Sequence, residues 1–446
     1  MSAVGGAPGP DRYIDTAARI GERLLDEAVW HETRCTWLGD DMDLVDHTWQ
    51  VVHQSVGGEL YSGTSGIARF LAGLWSVTGD PALRSTAEAA LRQALWAVER
   101  GKLSSRLGLY DGATGVAWTA IELGEALESE DLSAAGSTLS RQLASEVLAS
   151  GADPPPADLV TGAAGAILAF LAMAGPARDE QLTDASIALG DGLLAAARRS
   201  AFGWSWNGSP GMARGEANLC GLGHGASGVA YALQELYAAT GDGRYLEAAN
   251  AGVRYERGWF DRPRGNWPDL RGASQADLAG GPAFAFPAFW CHGAVGIGLV
   301  RLRAHQLTGD RVALAEAGAA LAAARGTLAA LMPAADAGAH PFETNFSLCH
   351  GLMGIAELLV FAYEVLGVEE HLETARWIGD QGIQRAAEGN ARWSCGVPGG
   401  DEAPGLMLGL AGIGSAYLRL HDPRAAPALG LLGGWPASGV GAGAQR

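Results

Sequence analysis

Seven apolar runs recur along the chain, and each is opened by Gly-x-x-Gly. They begin at Gly63, Gly112, Gly162, Gly225, Gly293, Gly351 and Gly409, in steps of 49, 50, 63, 68, 58 and 58 residues. A typical run is Ala166-Ile167-Leu168-Ala169-Phe170-Leu171 after Gly162-Ala163-Ala164-Gly165. Its apolar positions have helical spacing, and several runs stop at Gly-Asp, as at Gly79-Asp80, Gly241-Asp242 and Gly309-Asp310. A second, more charged helix follows each stop, for example Arg244 to Ala249. One unit therefore predicts an apolar helix facing inward and an amphipathic helix facing out. A recurring unit of this length marks a repeat architecture, with room for two helices per step. Seven such hairpins predict an all-α fold, a double-layered α/α toroid with its seven Gly-rich turns at one end. There the glycines permit tight turns and close backbone approach at helix N-termini.

The same reading sets the boundaries. A first helix is expected after Asp11, with Ile14, Ala17, Ile20 and Leu24 on one stripe. Residues 1–10 and 434–446 read as flexible tails, and 11–433 as one domain, because no Pro- or Ser-rich linker interrupts the repeat. A hydrophobic content of 48% supplies ample core. No apolar run reaches about 18 residues, so no membrane span is expected. No secretory signal is apparent at the start, which predicts a cytoplasmic protein. The net charge of −18 argues against generic phosphate-backbone binding, so no nucleic-acid partner is expected. Five cysteines, an odd number, argue against a disulfide framework.

The chemistry is concentrated in three of the Gly motifs. Cys291-His292-Gly293 and Cys349-His350-Gly351 open the fifth and sixth. Gly223-His224-Gly225 opens the fourth, with the histidine in the same register but no cysteine. Thiolate and imidazole are ligands that zinc favours, so soft donors at equivalent places suggest one metal site built from several repeats. Cys35, Cys220 and Cys395 read as ordinary thiols. Cys220 alone stands close to a motif histidine.

Together these features resemble the lanthionine synthetase C-like cyclases. They are the sevenfold Gly-x-x-Gly, Trp290-Cys291-His292-Gly293, the second Cys-His-Gly and Gly-x-x-His-Gly. The wording of Gly265-Asn266-Trp267-Pro268-Asp269-Leu270 is closest to the cyclase half of class II lanthipeptide synthetases. The resemblance spans roughly residues 55 to 432 and implies the same α/α toroid. It further implies a zinc enzyme in which a peptide cysteine thiol adds to dehydroalanine or dehydrobutyrine, closing a lanthionine or methyllanthionine ring. Cys291, Cys349 and His350 would be the zinc ligands, leaving a fourth place for the substrate thiol. A free thiol has a pKa of about 8.5, so activation at neutral pH needs such a cation. His224 would protonate the α-carbon, and Asp158 would orient that histidine. His292 stands where stand-alone class I cyclases carry Tyr. Pro287 stands where they carry Arg, and Arg271 or Arg214 could serve instead. The expected partners are a dehydrated precursor peptide and a separate dehydratase. The alternatives are addition of another thiol such as glutathione, a different cyclisation, or a non-catalytic scaffold.

Overall fold

The computed structural model describes residues 11–45, 48–150, 155–175, 179–208, 217–273, 284–336, 345–388 and 392–431. The two expected tails and Arg214 lie outside these residues. The chain begins with α1 (Asp11–Asp26), followed by two β-hairpins, β1 (Val29–His31) with β2 (Arg34–Thr36) and β3 (Leu38–Val45) with β4 (Thr48–Ser55). Helical hairpins follow: α2 (Thr64–Thr78) with α3 (Pro81–Glu99), then α4 (Ala113–Ala126) with α5 (Glu130–Ala149), then α6 (Ala163–Ala174) with α7 (Glu180–Ala196). After the short hairpin of β5 (Arg198–Ser200) and β6 (Gly203–Ser205) come α8 (Ala226–Thr240) with α9 (Gly243–Trp259) and α10 (Ala294–Thr308) with α11 (Arg311–Asp336). The last helices are α12 (Leu352–Leu366), α13 (Glu369–Glu388) and α14 (Leu410–His421).

The even-numbered helices form the inner wall, and each packs on the next until α14 meets α2 and the ring closes. Inner helices are buried almost all round: α2 is buried continuously from Thr64 to Leu74, as a helix walled on every side must be. Outer helices bury a single face, such as Leu83, Ala87, Ala90, Leu91 and Ala94 of α3. The Gly-Asp pairs act as a stop and a start. Gly79 ends α2 with its amide on the Trp75 carbonyl, and Asp80 caps α3 by accepting from Ala82 N at 2.9 Å.

The seventh hairpin is not continuous in sequence. The outer partner of α14 is α1, so the two ends of the chain close the ring together. Arg12 of α1 pairs with Asp380 of α13 at 2.7 Å, and Arg23 with Glu402 at 2.6 Å. Ala17, Ile20 and Leu24 are buried as their stripe predicts, while Ile14 is only partly covered.

The sequence reading contained no strands, and the three short β-hairpins are additions to the helical ring. The polar stretch from Arg34 to Asp41 lies in β2 and β3. Asp40 ties β3 to the segment after α13, accepting from Asp401 N at 2.7 Å and facing His53 Nδ1 at 2.8 Å. Among the described residues one helical stretch, Arg311–Ala330 of α11, is long and apolar enough to cross a membrane by length and composition. It is an outer helix packed on α10.

Candidate metal centre and proton-transfer site

The second glycine of each Gly-x-x-Gly is forced by backbone packing. A Cβ at Gly115, Gly165, Gly228, Gly296 or Gly412 would come within 1.8–2.2 Å of the carbonyl oxygen six residues earlier. No side chain fits there. The loop before each inner helix is therefore pressed flat on the first turn, and its residues are delivered in a fixed register.

A belt of backbone hydrogen bonds then joins the seven loops at the position two residues before the first glycine. Tyr61 N donates to Tyr110 O at 2.7 Å, Tyr110 N to Val160 O at 3.2 Å, Val160 N to Gly223 O at 3.3 Å, and Gly223 N to Cys291 O at 3.1 Å. Cys349 N donates to Met407 O at 2.9 Å, and Met407 N to Tyr61 O at 2.8 Å, which returns to the start. Only at the fifth repeat does the register slip, where Trp290 N rather than Cys291 N donates to Cys349 O, at 2.8 Å. At that repeat Gly293 takes φ +82°, while the other six capping glycines are extended. Only glycine adopts this conformation without strain.

The belt positions carry Tyr61, Tyr110, Cys291 and Cys349. The next positions carry Asp111, Thr161, His224, His292 and His350. Groups spread over nearly 300 residues therefore converge at one end of the barrel.

Cys291 and Cys349 hydrogen-bond through their side chains. Cys349 is held well below the ordinary thiol range by the bond from Cys291 and by His350, whereas Cys291 is pushed up by that bond and by burial. The His350 ring meets Cys349. Burial opposes its charged form, but the bond and charge of Cys349 outweigh that and raise its pKa. The Tyr61 hydroxyl also reaches the Cys349 sulfur. His350 Nε2 lies 2.7 Å from the Gly396 carbonyl oxygen. A metal-binding histidine is usually oriented in this way through its other nitrogen.

Among the described residues no three His, Cys, Asp or Glu side chains stand at metal-ligating spacing. Cys349 is nevertheless in contact with both Cys291 and His350. Two sulfurs and an imidazole with its far nitrogen anchored are a donor set suited to zinc, so the residues fit that ion.

Beside them lies a second group. His224 Nδ1 is 3.5 Å from Asp158 Oδ2, and the carboxylate is fully buried. Burial raises the Asp158 pKa, but the bond and charge of His224 and two bonds from Thr161 win and hold it low. Thr161 N donates to Asp158 Oδ1 at 2.7 Å. The His292 ring stacks on His224 with centroids 6.1 Å apart. Burial, and then the charge of Arg271, push the His292 pKa down to about 3.

The turn that carries His224 is held from behind. Glu256 of α9 accepts from Gly221 N at 2.8 Å and Ser227 N at 2.9 Å, and Arg301 of α10 pairs with it at 2.9 Å, both side chains fully buried. Cys220 is buried beside Leu219 and Leu270.

Two neighbours went unnoticed in the sequence: Tyr61 and Asp111. Asp111 occupies the register of His224 and His350, and its pKa is pushed up to about 7 by burial and then by the charge of Asp158. Lining up all seven loops on their first glycine, rather than only those with Cys or His, would have exposed Tyr61 and Asp111.

A closed ring of seven helical hairpins with a thiol–imidazole cluster at its glycine-rich end defines an α/α toroid with a candidate metal centre. The model of the lanthionine synthetase C-like protein family matches residues 54–432, and the chain belongs to that family. Among solved structures it is similar to nisin cyclase, with 17% identity and a TM-score of 0.62 over 82% of this chain and 89% of that one. An α-1,6-mannanase from Salegentibacter is a more distant match, at 11% identity and a TM-score of 0.38 over 71% of this chain and 88% of that one. So is a sugar epimerase from a ruminal bacterium, at 10% identity and 0.37 over 83% and 86%.

Proposed function

We propose that this chain is a zinc-dependent peptide cyclase that joins a cysteine thiol to dehydroalanine or dehydrobutyrine in a ribosomal peptide, forming lanthionine or methyllanthionine. The observation that carries this reading is the convergence of Cys291, Cys349 and His350 beside the His224–Asp158 pair, on loops fixed by one backbone belt. Cys291, Cys349 and His350 would hold the ion. When bound, zinc supplies the positive charge that lowers a thiol's proton affinity and leaves one coordination place for it.

The chain's own groups account for the remaining steps. His224 is partly exposed and stands 3.5 Å from the buried Asp158 carboxylate, so it is placed to deliver a proton to the α-carbon after sulfur attacks the β-carbon. Asp158 is locked by Thr161 and fixes the imidazole from the buried side. His292 supports the His224 ring face to face. His292 favours the class II branch. A separate dehydratase would supply the unsaturated residues, and five unpaired cysteines suit a reducing compartment such as the cytoplasm.

The test uses the purified full chain with a dehydrated, cysteine-bearing peptide. Ring closure leaves the mass unchanged, so the readout is loss of alkylatable thiol, with metal content measured in parallel. The wild type should hold about one zinc per chain and consume the thiol. Cys349→Ala should lose both while keeping its helical circular dichroism. Full thiol consumption by the metal-free variant would overturn the proposal.

A further inference from the structure

Three cations gather around one ring at the end of α3. Arg34 Cζ lies 4.6 Å from the Trp96 ring centroid, Lys102 Nζ 4.5 Å and Arg100 Cζ 6.0 Å. Arg100 and Lys102 are exposed, and Arg34 is half-buried. The Arg34 guanidinium donates to Gln93 Oε1 at 3.2 Å and meets His31 Nδ1 at 3.5 Å. Among the described residues none of the three has a carboxylate partner. The acids nearest in sequence, Glu32 and Glu99, are exposed and pair with none of them. On either side of this group the cations are paired: Arg92 with Asp131 at 3.3 Å, and Arg106 with Glu146 at 2.7 Å.

The hairpin that brings Arg34 here is fixed on α3, where the buried Cys35 thiol donates to Thr86 O at 3.6 Å. Opposite Cys35 in the same hairpin stands Trp30, 49% exposed, and Val29 beside it is equally exposed. An apolar surface therefore borders the cations. The patch also has a defined place in the ring. The last turns of α3 press on Gly58, where an added Cβ would come within 2.9 Å of the Ala97 side chain. Gly58 begins the loop that carries Tyr61, so the patch adjoins the glycine-rich end.

An indole face attracts an exposed cation only modestly, and three like charges around one ring work against that gain. An anion removes the repulsion and accepts from all three. Guanidinium and ammonium groups both donate to carboxylates, and Trp and Arg are the side chains that most often anchor interfaces. We propose that this patch binds an acidic peptide segment, with its carboxylates on Arg34, Arg100 and Lys102 and a neighbouring apolar side chain on Trp30. A short peptide is the fitting occupant, because a long polyanion would also meet the chain's net charge of −18. The inference does not depend on the cyclase reading. Where that reading holds, the dock keeps the peptide beside the glycine-rich end and raises its local concentration there.

The experiment uses the purified full chain and fluorescence anisotropy. The probes are a labelled peptide in which pairs of Glu flank single Leu residues, the same peptide with Gln for Glu, and a labelled single-stranded oligonucleotide. The wild type should bind the Glu peptide at least about tenfold more tightly than either other probe, and the preference should shrink as salt rises. Arg34→Gln combined with Lys102→Gln should weaken the Glu peptide by about tenfold and the Gln peptide by less than about twofold. Lys102→Gln alone changes an exposed side chain, so it should keep the wild-type thermal melt and still weaken the Glu peptide by about two- to threefold.

A second readout locates the contact. Lys102 is the only lysine of the chain, so an amine-reactive ester has that side chain and the N-terminus as its amine targets. Saturating Glu peptide should slow modification of Lys102, followed by mass spectrometry, and leave that of the N-terminus unchanged. Equal affinity for the Glu and Gln peptides, tighter binding of the oligonucleotide than of the Glu peptide, unchanged affinity in Lys102→Gln, or an unprotected Lys102 overturns the proposal.

Discussion

At the scale of single residues, position relative to the first glycine decides what a side chain can do. Cys291, Cys349, His224 and His350 were legible in the sequence because their types are chemically loud and their register matched. Tyr61 and Asp111 share that register but have ordinary types, and only the folded belt shows that they face the same end. Tyr61 is partly buried with its hydroxyl on the Cys349 sulfur, and burial followed by the charge of Cys349 raises its pKa far above the ordinary phenol range. A neutral donor to the Cys349 sulfur would orient it in the proposed zinc site, so Tyr61→Phe should fold normally and bind zinc about 10–100-fold more weakly in a chelator competition. Affinity unchanged within twofold would show the bond to be incidental.

Asp111 gives a pH prediction with a definite sign. Its folded pKa is about 7 against an ordinary 3.8, so between these values the native state holds a proton that the unfolded chain releases. Stability therefore falls as pH rises from 4 to 7, and the full cost is present above 7. The groups facing it are Ser104, Glu59, Asp158 and His224. Asp111→Asn should match the wild type at pH 4 and exceed it at pH 8 by about 1–2 kcal/mol, allowing for partial exposure. Urea melts at the two values would check this, and an equal gain at both would refute it.

At the scale of elements, the apolar runs, their glycine openings and their Gly-Asp stops were all readable, because each follows from local geometry. What could not be read is how an outer helix reaches back to set the turn that carries His224. Glu256 sits on α9 in an otherwise ordinary amphipathic pattern, yet it occupies the backbone amides of Gly221 and Ser227 and pairs with Arg301 in complete burial. The short β-hairpins were missed for a related reason. Their strands are brief and largely polar, and β3 is anchored by Asp40 to a segment some 360 residues away.

Arg301 also pairs with Glu316 at 2.7 Å, so removing the Glu256 charge takes away one of two carboxylates on the guanidinium. Glu256→Gln should therefore cost about 1–3 kcal/mol in urea unfolding, and it should loosen the His224 turn. Replacing Glu256 with Gln and Arg301 with Met together should recover part of that loss. A single-variant cost below 1 kcal/mol would mean that the amides, not the charge, carry the hold.

At the scale of the whole molecule, the sequence announced seven units but not how the last one closes. The ring is completed by α1 against α14, and the segment Leu429–Leu431 after α14 packs against the inner helices. Glu357 of α12 accepts from Leu429 N at 2.8 Å and Gly430 N at 3.3 Å, and Arg419 of α14 pairs with the same carboxylate at 3.3 Å. From the glycine-rich end Trp290 points into the barrel, with its indole NH on Gly430 O at 2.8 Å and its ring against Tyr110. The residue beside Cys291 thus rests on the segment Leu429–Leu431, and the glycine-rich end is coupled to that segment by a buried hydrogen bond. Trp290→Phe keeps an aromatic filler but leaves the Gly430 carbonyl without its donor, which should cost about 1–3 kcal/mol. The coupling predicts more than a stability loss. Hydrogen exchange at Leu429 and Gly430 should quicken in the variant together with exchange at Gly223, whose amide donates to Cys291 O, while the belt amides of Tyr61 and Tyr110 stay protected. Exchange quickened at Leu429 and Gly430 alone would show that this segment and the site are independent.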